Sequence, residues 1–136
     1  MKRCRRGFTI LEILIVIALI AALAGASIVA LNKLFGGGQE QVAEIFVTQG
    51  VDPALMAFRL NTGRYPTTEQ GLAALRTAPS GVGTKWKGPY IEKDAIDPWG
   101  NPYQYRYPGT RNPDKYDIWS LGADGVESAD DIGNWN

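Results

Sequence analysis

The sequence predicts an α+β protein in which a long hydrophobic N-terminal helix carries a small body with an antiparallel sheet. Three observations predict it. Ile13 to Leu31 is a run of nineteen residues without a charge, close to the ~20 that a helix needs to cross the ~30 Å hydrocarbon layer of a bilayer. Tyr103, Tyr105 and Tyr107 alternate with polar residues, the period of a strand with one covered face. The chain closes in a loop dense in carboxylates, with Asp124, Glu127, Asp130 and Asp131 inside eight residues.

The helix comes first. Lys2, Arg3, Arg5 and Arg6 precede the apolar run, and such a basic cluster stays on the cytoplasmic side and sends the rest of the chain outward. Three readings compete for residues 8 to 31. A cleaved secretory signal fits the small residues Ala22-Leu23-Ala24 and Ala24-Gly25-Ala26, and a plain signal anchor fits the length. Glu12, the single charge of this segment, argues against both, because a carboxylate in an apolar run costs a few kcal/mol and is kept where it has a partner.

The third reading accounts for Glu12. Gly7-Phe8-Thr9-Ile10-Leu11-Glu12 resembles the type III signal of the type IV pilin and pseudopilin superfamily. The resemblance implies that a prepilin peptidase cuts between Gly7 and Phe8 and methylates the new amino terminus of Phe8. It also implies that Glu12 of one subunit faces the amino terminus of the next, so that assembly neutralises two charges that are costly in an apolar bundle.

Beyond the helix lies a body of about 100 residues, enough for one small core. Gly36-Gly37-Gly38 is a poor continuation for a helix, at about 1 kcal/mol per glycine, and Asp52-Pro53 looks like an N-cap followed by proline at the first helical position. The spine helix is therefore expected to break near 36–38 and again near 50–53, although both features also occur as tolerated irregularities. Val42, Ile45, Phe46, Pro53, Met56 and Leu60 keep helical spacing and form a stripe that could face the body. Asn61-Thr62-Gly63 stops the helix, and the capping-box spacing of Thr67 and Gln70 starts a short one that reaches Thr77. Trp86, in a loop rich in glycine and proline, is expected to pack on the body. The turn Asp97-Pro98-Trp99-Gly100-Asn101-Pro102 introduces the tyrosine strand, and Asp117 to Ser120 is expected to pair with it antiparallel. The tyrosines are read as core, with carbohydrate or peptide binding as the alternative.

From end to end, the order of the leader, the spine, Asn61 to Leu72, Asp97 to Tyr103 and Ser120 to Gly125 resembles the major pseudopilin family of type II secretion. The resemblance implies a leader at 1–7, a transmembrane and filament-core helix at 8–35 and a periplasmic body at 36–136, anchored by a single pass in a bacterial inner membrane with the N-terminus cytoplasmic. It implies a homopolymer that works with minor pseudopilins, an inner-membrane assembly platform and a secretion ATPase to help drive folded proteins across the outer membrane. Type IV pilins that serve adhesion or DNA uptake share the leader and are the alternative, but they often close their C-terminal region with a disulfide. Cys4 is the only cysteine, so no intrachain disulfide can form. Val29 stands where members of the family usually carry a proline.

In the acidic loop, like charges this dense repel. A solvated tail is one meaning of such a run, and calcium is the other, since it accepts six to eight oxygen ligands in flexible geometry. The spacing is not that of an EF-hand. The family resemblance implies one calcium here, with Asp124, Asp130 and Asp131 as side-chain ligands and the carbonyls of Leu121 and Val126 as further ones. Glu127 is left to solvent.

Other function classes fare poorly. The absence of histidine removes Ser-His-Asp and Cys-His relays and imidazole zinc sites. Without the four basic residues of the leader, ten cations face fourteen acids, which leaves no basic face for nucleic acid. A glycosidase-like acid and base pair within Asp114 to Asp131 is the best case for an enzyme, and no nucleophile motif or cofactor fingerprint supports it.

Overall fold

The computed structural model describes residues 7–135. Residues 1–6 of the expected leader, with their basic cluster and Cys4, lie outside the described residues, as do Asn136 and the side chains of Val29 and Asn32. The chain divides into two compact units, Met1–Gly37 and Gly38–Asn136.

Helix α1 spans Ile10–Ile45. It runs through Gly36, Gly37 and Gly38 without interruption, against the expectation of a break there. Glycine weakens a helix but, unlike proline, keeps its N–H and its hydrogen bond. With helix already formed on both sides, the cooperative ladder continues.

The second expected irregularity is present, in a different form. Phe46–Gly50 is a π-helical turn, closed by the Val51 N–H donating to the Phe46 carbonyl at 3.2 Å. Pro53 has no N–H to offer the preceding turn, and the ladder widens just ahead of it. Helix α2 then spans Asp52–Thr62. Its N-cap is Val51, which makes no side-chain cap bond; the expected cap Asp52 instead accepts from Lys115 Nζ at 2.9 Å and from the Tyr116 hydroxyl. Gly63 ends the helix in the left-handed conformation, φ 89°, with its N–H donating to the Arg59 carbonyl at 2.8 Å.

The face of the spine that enters the core shares with the expected stripe only Phe46, which is partly buried and packs against the core. Ala43, Val47, Val51, Ala54, Leu55 and Phe58 are buried, whereas Val42, Ile45, Met56 and Leu60 are exposed. Two of the buried positions are alanines, and small residues let the body approach the helix closely.

Thr67 and Gln70 form a reciprocal capping box: Gln70 N–H donates to Thr67 Oγ1 at 3.3 Å, and Thr67 N–H to Gln70 Oε1 at 3.0 Å. The helix expected to reach Thr77 is only a turn followed by the 3-10 segment Leu72–Leu75, because Gly71 at φ 58°, ψ −164° leaves helical conformation. Trp86 packs on the body as expected, its Nε1–H donating to the Ala74 carbonyl at 2.9 Å.

The sheet is antiparallel, in the order β1 (Gln104–Arg106), β2 (Asp117–Ser120), β3 (Ile132–Gly133). Gln104 faces Trp119, Arg106 faces Asp117, and Trp119 faces Gly133. Tyr103 and Tyr105 are buried with Tyr65, Tyr116, Phe58 and Leu75, so the tyrosine stripe is core. Burial first, then the charge of Asp97, pushes the Tyr103 phenol up to about 12.

Candidate functional site

The N-terminal site is built on the first turn of α1. Gly7 to Thr9 precede the helix, and Glu12 lies in its first turn. Thr9 caps it: its Oγ1 accepts from Glu12 N–H at 3.2 Å and its carbonyl from Ile13 N–H at 3.2 Å. Thr9 and Glu12 have the Thr-x-x-Glu spacing of a capping box, a role for Thr9 legible in the sequence but not drawn from it. An acidic group in the first turn also suits the positive end of the helix. The apolar helix is long enough to cross a membrane, and none of its most apolar eighteen-residue window is buried. Phe8 is 79% exposed.

The second site is the acidic loop between β2 and β3, which is held at both ends. At the β2 end, buried Asp97 accepts from Trp99 N–H at 3.1 Å, Asn101 N–H at 2.8 Å and Ser120 Oγ at 2.7 Å, and Ser120 Oγ accepts from Gly122 N–H at 3.0 Å. At the β3 end, Asn134 Oδ1 accepts from Ile118 N–H at 3.2 Å while its Nδ2 donates to the Tyr116 carbonyl at 3.0 Å. Asp117, 1% exposed, accepts from the N–H groups of Thr110, Arg111 and Asn112 and from the Thr110 hydroxyl. Burial works against its anion, but these donors outweigh it and hold the carboxyl below its usual range. Asp117 is thereby an anchor and not a proton donor.

Between these posts the three expected side-chain ligands gather around Ser128. Its Oγ lies 3.2 Å from Asp124 Oδ2 and in close contact with Asp130 Oδ1, and its N–H donates to Asp131 Oδ1 at 3.2 Å. A hydroxyl has one hydrogen for these two carboxylates, so each keeps few donors for its several lone pairs. Burial, followed by repulsion from Glu127, Asp130 and Asp124, raises the Asp131 carboxyl above its usual range. Among the described residues, no three such side chains converge on one metal-sized point. The donors are nonetheless all oxygen and under-compensated, which fits a hard cation. Val126 N–H donates to Asp124 Oδ1 at 3.1 Å, and Gly122 and Gly125 bend the loop at φ 70° and 68°. Glu127 is exposed, and Glu40 and Glu44 of α1 share a groove with Asp130 and Asp131, a proximity that no local pattern reveals.

The chain matches two known families over nearly its whole length. Residues 33–135 match the family described as type II secretion system protein G, and residues 2–28 match the prokaryotic N-terminal methylation motif. The type II secretion system core protein G of Klebsiella pneumoniae is 44% identical over 137 residues, covering 96% of this chain and 94% of that protein. Its counterpart from Vibrio cholerae is 39% identical over 146 residues, covering 100% and 97%. The crystal structure of the major pseudopilin of the type 2 secretion system of enterohaemorrhagic Escherichia coli superposes with a TM-score of 0.64 at 36% identity, over 77% of this chain and 89% of that one. The capped apolar helix, the three-stranded sheet and these relatives agree: the chain belongs to the type II secretion system protein G family, the major pseudopilins.

Proposed function

We propose that this chain is the homopolymeric subunit of a secretion pseudopilus, a structural protein and not an enzyme. A prepilin peptidase cuts between Gly7 and Phe8 and methylates Phe8. Residues 8–35 hold the subunit in the inner membrane with the N-terminus cytoplasmic, and residues 36–136 form the periplasmic body. Subunits then join through heterologous contacts, which extend without closing, and the filament works with minor pseudopilins, the assembly platform and the secretion ATPase to move folded proteins across the outer membrane.

The observation that carries this reading is Glu12, a solitary carboxylate in the first turn of a helix whose apolar surface is unburied. The new ammonium of a neighbour's Phe8 supplies its missing countercharge. In Glu12→Ala the chain is expected to remain in the membrane as a monomer, and normal filaments from that variant refute the assembly role. Mass spectrometry of the mature protein is expected to find methylated Phe8 at the amino terminus; a start after Ala24 or Ala26 would mark an ordinary exported protein.

Calcium is the second part of the proposal. Asp124, Asp130 and Asp131, with the carbonyls of Leu121 and Val126, would hold one ion in the loop, and the shortage of donors around Ser128 supports it. When bound, the ion supplies the positive charge that the carboxylates lack, and its binding energy becomes folding energy for a body without a disulfide.

A further inference from the structure

A second cluster, on the sheet, is not used by processing, by the membrane helix or by the proposed calcium ligation. Trp119 of β2 lies across from Gly133 of β3, and the ring of Trp135 covers that glycine. The two indoles meet at 5.8 Å between centroids, tilted by 52°. Each carries a guanidinium: Arg106 sits 5.3 Å from the Trp119 ring and Arg111 5.0 Å from the Trp135 ring. Asp117 faces Arg106 across the strands, but its oxygens are taken by Thr110, Arg111 and Asn112. Among the described residues, neither guanidinium has a carboxylate partner. Trp119 is only 7% exposed, and its indole Nε1 is a buried polar atom without a hydrogen-bond partner.

Two cations thus line one cleft of about 320 Å³ whose acidic lip carries Glu127 and Asp131. A carboxylate answers the two cations, since it accepts a guanidinium in a bidentate fork. The acidic lip asks for a cation beside that carboxylate. The chain has two neighbouring acid and base pairs with the acid first, Asp114-Lys115 and Glu92-Lys93. Lys115 is occupied by Asp52, whereas Glu92 and Lys93 are both exposed and, among the described residues, unpaired.

We propose that this cleft is a subunit docking site that receives the Glu92-Lys93 loop of a second copy, with Glu92 on Arg106 and Arg111 and Lys93 on Glu127. The contact is heterologous, as an open filament requires, and the proposal rests on the polymer reading. The test uses the full chain, assembled in its own membrane. Glu92→Arg and Arg111→Glu are each expected to lower filament yield about tenfold, the effect of one buried charge contact, and the double variant is expected to recover most of it. The pair Glu92→Cys with Arg111→Cys is expected to give a ladder of disulfide-linked multimers, which reports the contact even if Arg111→Glu fails to fold. Wild-type yield in the single variants, no recovery in the double variant, or cross-linking of Arg111→Cys to a different protein overturns the docking site. If wild type forms no filaments at all, the polymer reading has failed instead.

Discussion

The two units treat apolar side chains in opposite ways. In Met1–Gly37, Ile10, Leu14, Leu19, Ile20, Leu23 and Ile28 are all about half exposed or more among the described residues. In Gly38–Asn136, Leu55, Phe58, Leu75, Tyr116 and Ile118 are almost completely hidden. The same residue types make a core in one unit and await a partner, lipid or protein, in the other. Apolar composition therefore reports that burial will occur, and only the distribution of polar residues tells whether the chain itself supplies it.

That contrast can be broken by substitution. All four tryptophans, Trp86, Trp99, Trp119 and Trp135, lie in the body, so their fluorescence during denaturation of the full chain in detergent reads the body alone. Phe58→Ala, at a buried position, is expected to lower its stability by about 3–5 kcal/mol. Leu19→Ala is expected to change it by less than about 0.5 kcal/mol, and equal effects would erase the distinction between the units. Asp117→Asn removes a charged acceptor from buried donors and is expected to cost about 3 kcal/mol.

Calcium should act on the body and leave the membrane unit unaffected. At a hundredfold excess over its dissociation constant it is expected to add about 2.7 kcal/mol, a gain read as a higher melting temperature. Asp124→Ala should remove that response; identical melting with calcium and with chelator removes the metal site. A smaller pH effect follows from two carboxyls with opposite shifts. Asp131 has a raised pKa when folded, so without metal its repulsion is relieved as pH falls through that raised value, and stability rises. Asp117 has a lowered one; its contribution is present above the ordinary value of 3.8 and is lost as pH falls through the lower folded value. Acidification in chelator should thus raise the melting temperature slightly before lowering it, and calcium should abolish the rise. A purely local effect is that of Gly37→Ala, whose added methyl meets nothing within 4 Å. It is expected to slow local amide exchange about fivefold, the equivalent of about 1 kcal/mol of helix propensity.

Much of this architecture was legible in the sequence because its causes are local. The uncharged run, the Gly63 stop, the Thr67 and Gln70 box and the alternating tyrosines each act within a few residues. The buried face of the spine was not, since Ala43 and Ala54 carry little hydrophobic signal although both are buried in the core. Strand β3 is two residues long and offers no alternation to read. The loop's outer posts, Asp97 and Asn134, were hidden for another reason: Asp97 meets Ser120 across 23 residues, and Asn134 meets Tyr116 across 18. The carboxylates were visible as a group, but their convergence on Ser128 is a product of that clamping.

The two posts have a consequence for how this region can change. With Ser120 and Asn134 tied independently to the body, the span between them resembles a bridge deck on fixed piers. Its length can vary while the strands keep their register, since even a doubling of a flexible loop costs only about 0.6 kcal/mol in closure entropy. Lineages can therefore retune the chemistry of this segment by insertion or deletion while the sheet beneath it stays in place.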